Sequence, residues 1–130
     1  MEKTIFQKII DREIPAKIVY EDEEFLAFLD INPVRKGHTL LMPKEQYQWV
    51  QDVPNELISK TFIKMKELII AIKKATMCDY VQVVIEGIQV PHFHIHLIPS
   101  MNGQENAKWT HLNYEDAEAE VVTEKIKSSL

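Results

Sequence analysis

The chain has 130 residues, 45% of them apolar and 27% charged, with a formal charge of −5, which suits one soluble domain spanning 1–130 and is too short for a barrel of alternating strands and helices. Lysines and arginines are scattered among carboxylates with no basic stripe, which argues against nucleic acid as a partner; a small phosphate ester stays compatible, because local donors can hold it. No window approaches the roughly 18 apolar residues of a membrane span, and the start Met1-Glu2-Lys3-Thr4-Ile5-Phe6 lacks a signal-peptide core, so no membrane partner and a cytoplasmic location are expected.

Thr4 followed by Gln7 reads as a capping box, and Ile5, Phe6, Ile9 and Ile10 give an apolar face, so a short helix runs to about Asp11 before Pro15 blocks it. Ile18-Val19-Tyr20 and Phe25-Leu26-Ala27-Phe28-Leu29 read as strands joined across the acidic run 21–24, a solvated turn. A loop rich in breakers, with Asn32-Pro33 and Gly37, leads to a third strand, Thr39-Leu40-Leu41-Met42, closed by Pro43. From Asn55 a long helix is indicated by Ile58, Phe62, Met65, Ile69 and Ile72, a stripe that serves core or subunit contact.

Cys78 is the only cysteine, which excludes an internal disulfide, and it reads as a small apolar side chain between helix and strand. Residues 80–85 and 92–98 supply strands four and five, and Asn113 is placed to cap a last helix over about 113–129. The order predicts an α+β fold, a mostly antiparallel five-stranded sheet with helices on one face.

On a strand successive side chains alternate, so His92, His94 and His96 project together while Phe93, Ile95 and Leu97 project into the opposite layer. Three imidazoles on one face are a costly way to fill a core, since each buried ring needs partners for its nitrogens. Such a set can bind a metal or act on a substrate as nucleophile and proton carrier, and spacing alone leaves both open. The residues after His96 offer no glutamate of the kind a cupin-like metal site would need.

The run His92-Phe93-His94-Ile95-His96-Leu97-Ile98 resembles the signature of the histidine triad family, and the blocks at 5–16, 20–22, 27–33 and 37–44 resemble that family's remaining blocks in order. The resemblance implies a histidine-triad-like homodimer, paired through the long helix and the sheet, that binds a purine nucleotide and needs no cofactor or metal. It implies His94 as the nucleophile at the α-phosphate, His96 at the phosphate and leaving group, and His92 and His38 in a supporting imidazole network. Asp30 matches the ribose-binding carboxylate, and Ile5, Phe6, Ile9, Phe28 and Ile31 match the walls of the base pocket.

Two departures stand beside the matches. Residues 85–91 form a shorter loop without the family's usual asparagine and Gly-Gln pair, leaving Gln89 as the candidate polar contact to the phosphate. Thr4 and Gln7 stand where paired cysteines hold zinc in some members. His111 reads as a surface or interface residue, and Trp109 as a packing anchor. The expected activity is hydrolysis or nucleotidyl transfer on a purine nucleoside phosphoramidate, with dinucleoside polyphosphate hydrolysis as the alternative within the family. A metal-dependent hydrolase using the three histidines and a nucleotide-binding module with little turnover are the alternatives outside it.

Overall fold

The strands β1 (Ile18–Glu21), β2 (Phe25–Leu29), β3 (Thr39–Pro43), β4 (Tyr80–Glu86) and β5 (His94–Ser100) form one antiparallel sheet in the order β1-β2-β3-β5-β4. The computed structural model describes residues 3–104 and 110–130. The histidine-bearing strand is therefore interior, with Leu40 opposite His96 on the β3 side and Glu86 opposite His94 on the β4 side.

Both faces of this sheet are covered, which is why β2 and β3 read as unbroken apolar runs and not as alternating patterns. One layer joins Phe25, Ala27, Leu29, Leu41, Ile95 and Leu97 to α2 (Asn55–Thr76) and α3 (Glu118–Ser129) through Leu68, Ala71, Ile72 and Ile126. The other layer joins Leu26, Phe28, Leu40 and Met42 to Phe6 and Ile9 of α1 (Ile5–Ile10). The two long helices thus share one face as expected, while short α1 lies on the face that carries the imidazoles. No described helix is long and apolar enough to cross a membrane.

Local chemistry explains several boundaries. Thr4 accepts the Gln7 N–H at 3.0 Å as an N-cap, but Gln7 turns its side chain to Asp11 and leaves the reciprocal half of the capping box unmade. In the acidic turn Asp22 is an acceptor with a task, taking the N–H groups of Glu24 and Phe25 at 2.8 and 2.7 Å. Cys78 is buried, as a small apolar side chain should be.

Three expectations need correction. The last helix starts at Glu118 and not near 113, because the stretch before it bonds elsewhere: Leu112 N–H reaches Pro33 O at 2.7 Å. Strand β5 starts at His94 and not at His92, because His92 N–H turns to Val90 O and Phe93 N–H to Tyr47 O. On α2 the buried line is Thr61, Leu68, Ala71 and Ile72, with Ile58, Met65 and Ile69 packed at its border and Phe62 38% exposed.

Leu68 sits at the centre of the larger layer and is fully buried. Leu68→Ala should cost about 2–5 kcal/mol of unfolding free energy in urea titration, as for other buried leucines. A loss under about 1 kcal/mol would show that this layer collapses onto the cavity and does not carry the fold.

Candidate active site

A neutral imidazole has one N–H and one lone pair, so the partner of one nitrogen fixes the role of the other. The Val34 N–H donates to His38 Nδ1 at 3.1 Å, which leaves the His38 proton on Nε2. That nitrogen lies 2.9 Å from His96 Nδ1, so His38 donates, His96 accepts, and the His96 proton resides on its own Nε2. His94 Nδ1 lies 2.6 Å from the carbonyl oxygen of His92, which only a protonated Nδ1 can satisfy, and His94 Nε2 is left with its lone pair.

Burial keeps these rings neutral. Desolvation pushes His38 down to about 3 and His96 down to about 4, with the neighbouring rings adding to the shift, and desolvation also lowers His92 and His94. The rings are in contact, His94 and His96 having centroids 4.8 Å apart and His38 and His96 5.2 Å apart.

His92 departs from its expected place in that network. Its Nε2 donates to Pro43 O at 2.7 Å, and its Nδ1 is buried without a partner among the described residues. It serves the site through its main-chain carbonyl, which orients His94, and not through its ring.

His94 and His96 open onto a cavity of about 280 Å³, near the lower end for a small-molecule site. Ile5, Phe6, Ile9, Phe28, Asp30, Ile31 and Gln89 all line it, so every residue expected to hold a nucleotide is brought to one place. Phe6 meets His94 edge to face at a centroid distance of 4.8 Å and Phe28 at 5.7 Å. The sequence reading missed Ile14, Pro15, Ala16, Leu29, Asn32, Leu40 and Val90 on the same wall. A signal was present for all of these but Val90, since they fall in blocks of the family resemblance.

Asp30 does two things at once. One oxygen, Oδ1, accepts the Asn32 N–H at 2.9 Å and caps the turn, while Oδ2 stands 4.0 Å from His38 Nε2. Desolvation raises its carboxyl above the usual range, and the Asn32 N–H opposes that rise. The loop 87–93 is held from the side by Gln46 Nε2 on Pro91 O and Gln48 Nε2 on Gly87 O, each at 3.1 Å. Gly87 fits because a Cβ there would meet Gln48 O at 2.8 Å. His111 is exposed, with Nδ1 2.6 Å from Asn32 O; Trp109 and Lys108 lie outside the described residues.

Among the described residues one trio brings three donor atoms within 4.8 Å of one another, Asp30, His38 and His96. It does not suit a metal. A cation on His38 Nε2 would require the proton on Nδ1, where it would face the Val34 N–H donor. His92 and His94 each commit a nitrogen to a backbone carbonyl, so the three triad rings do not converge as a ligand set.

The HIT domain model matches residues 11–103. The chain belongs to the histidine triad family. A HIT-like protein of Methanocaldococcus jannaschii is 44% identical over 103 residues, covering 76% of this chain and 80% of the relative. An adenylylsulfatase of Arabidopsis thaliana is 35% identical over 100 residues, 73% of this chain and 51% of the plant protein. The solved structure of a hypothetical histidine triad nucleotide-binding protein from Sulfolobus tokodaii superposes with a TM-score of 0.84 at 30% identity, over 95% of this chain and 89% of that one.

As a histidine triad protein this chain keeps its imidazoles in a low-dielectric pocket, with a consequence for acid stability. The folded pKa values of His38 and His96 lie below the ordinary 6.5, so the unfolded chain takes up their protons first as pH falls. Stability is thus retained above pH 6.5 and lost from there toward about 4, where His96 titrates, and about 3, where His38 does. Urea titrations at pH 7 and pH 5 should differ by about 2–4 kcal/mol. Equal stability at the two pH values would mean that the rings are not held neutral.

Proposed function

We propose that the chain is a nucleotide hydrolase or nucleotidyl transferase that cleaves at the α-phosphate of a purine nucleoside phosphoramidate, without a metal in the chemical step. The observation that carries this reading is the His94 Nδ1 to His92 carbonyl contact of 2.6 Å, which presents an unprotonated Nε2 on a residue lining the cavity. Nε2 attacks phosphorus, the bond to the amine breaks, and the departing nitrogen takes the proton from His96 Nε2, so that the His96 ring is left anionic beside the His94 ring until the second displacement returns its proton. The nucleotidylated His94 ring is cationic, and the His92 carbonyl stabilises it through the Nδ1–H. Water or another acceptor then attacks the same phosphorus from the other side, gives up a proton to His96 and frees Nε2.

Asp30 accepts the ribose hydroxyls through Oδ2, and Phe6, Phe28, Ile5, Ile9 and Ile31 enclose the purine. Gln89 lines the same cavity and offers a side-chain amide to the phosphate. Among the described residues, those lining the cavity include no lysine or arginine, which favours a leaving group of low charge over a polyphosphate. Lys36 and Lys44 are occupied by Glu118 and Glu21 at 2.9 Å each. An adenylylsulfatase among the relatives fits the same scheme, a nucleotidyl group passed from a small leaving group.

The reading includes a homodimer. Phe62, Ile63 and Ile70 on α2 are 38%, 61% and 47% exposed, and Val83 on edge strand β4 is 40% exposed. Val83 shares the α2 face of the sheet with Val81 and Ile85, so helix and strand edge form one apolar area. A second copy suits it because an antiparallel strand edge is self-complementary about a two-fold axis.

His94→Asn should lower kcat on adenosine 5′-phosphoramidate about a thousandfold or more, near 4 kcal/mol of barrier, with AMP binding retained. Wild-type kcat in that variant would remove His94 from the mechanism. In the same assay the phosphoramidate should exceed diadenosine tetraphosphate in kcat/KM, and the reverse order would move the substrate class to polyphosphates while leaving the nucleophile in place.

A further inference from the structure

The family match ends at residue 103, yet the chain after it returns to the site. Thr110 to Tyr114 runs along the loop between β2 and β3, the loop that starts at Asp30 and ends at His38. Three bonds join them: His111 Nδ1 to Asn32 O at 2.6 Å, Leu112 N–H to Pro33 O at 2.7 Å, and Gly37 N–H to the Tyr114 hydroxyl at 2.9 Å.

The third bond differs from the others in what it controls. Within the loop the N–H groups of Asp30, Asn32, Val34 and His38 are answered from inside, by His38 O, Asp30 Oδ1, His38 Nδ1 and Arg35 O. The N–H of Gly37 is answered by Tyr114 from outside. Gly37 is buried at φ +98°, and a Cβ there would lie 2.9 Å from Thr76 Cγ2 and 3.0 Å from Pro99 Cγ, so it is seated in a tight slot immediately before His38. Tyr114 is itself packed against the larger core layer, next to α3. Its hydroxyl is therefore a fixed point against which the loop is set.

We propose that Tyr114 is a positioning residue of the nucleotide site, which through Gly37 holds Asp30 and His38 in register with the ribose and with His96. Asp30 and His38 move together, because Asp30 N–H bonds His38 O at 2.9 Å. Removing the hydroxyl leaves a buried N–H unanswered, and the loop relaxes to find it a partner. Both functions of the loop weaken, sugar reading at one end and the imidazole relay at the other. This inference rests on the proposed function only for the claim that Asp30 reads the sugar.

The test is Tyr114→Phe in the full chain, which keeps the ring and removes the one oxygen. Calorimetric affinities for AMP and 2′-deoxy-AMP are compared with the wild type, together with the imidazole 15N signals of His38 and His96. AMP should weaken about five- to tenfold and 2′-deoxy-AMP much less, and the His38 Nε2 and His96 Nδ1 signals should shift as their shared bond loosens. Lys36→Gln, which removes only the exposed pair with Glu118, should change neither. A lower melting temperature with an unchanged AMP to deoxy-AMP ratio and unchanged imidazole signals would overturn the proposal and leave Tyr114 as packing. If the wild type itself does not distinguish the two nucleotides, the sugar-reading role of Asp30 fails, and the imidazole signals alone decide for or against Tyr114.

Discussion

In a buried neutral imidazole the partner of one nitrogen fixes the role of the other, and the backbone supplies the deciding partner for His38, His92 and His94. Val34 N–H sets His38, which sets His96, and the His92 carbonyl sets His94. These assignments fix which nitrogen carries a lone pair and which a proton before any ligand arrives. Preorganisation of this kind costs nothing at the moment of reaction, because the sheet has already oriented the groups.

The requirement reaches into the fold. An interior β5, paired to β3 and β4, holds His94 and His96 rigidly, and the apolar layer under Ile95 and Leu97 keeps the strand from rolling. His92 lies just outside the strand, where its main chain is free to offer a carbonyl to His94 Nδ1 and its ring is free to bond Pro43. A strand extended to His92 would have spent that carbonyl on pairing. The dry pocket that results keeps the rings unprotonated and shifts the cost to low pH.

Much of this was legible in the sequence because the periodicities are local. The unbroken run Phe25–Leu29 and the alternation after His92 place strands β2 and β5 directly, and the apolar recurrence from Asn55 places α2. The cavity was legible through the family resemblance, which named eight of the residues that line it, with Gln89 added from the loop that departs from the family pattern. What escaped depends on contacts distant in sequence. The start of β5 is decided by Tyr47 and Val90, the role of the His92 ring by Pro43, and the start of α3 by a bond to Pro33, and no local pattern at 92 or 113 encodes those partners. The phase of the α2 stripe was displaced because Thr61 is buried as well as the apolar residues, its hydroxyl satisfied by Leu57 O at 2.7 Å.

The central claim is that His94 carries the nucleotidyl group between two displacements. Its most direct test is to mix the protein with adenosine 5′-phosphoramidate in the presence of chelator, quench within the first turnover in alkaline denaturant, and map the modified peptide by mass spectrometry. The account predicts one adenylyl group on His94, lost on acidification. Turnover without any protein adduct, or an adduct on another residue, would contradict it.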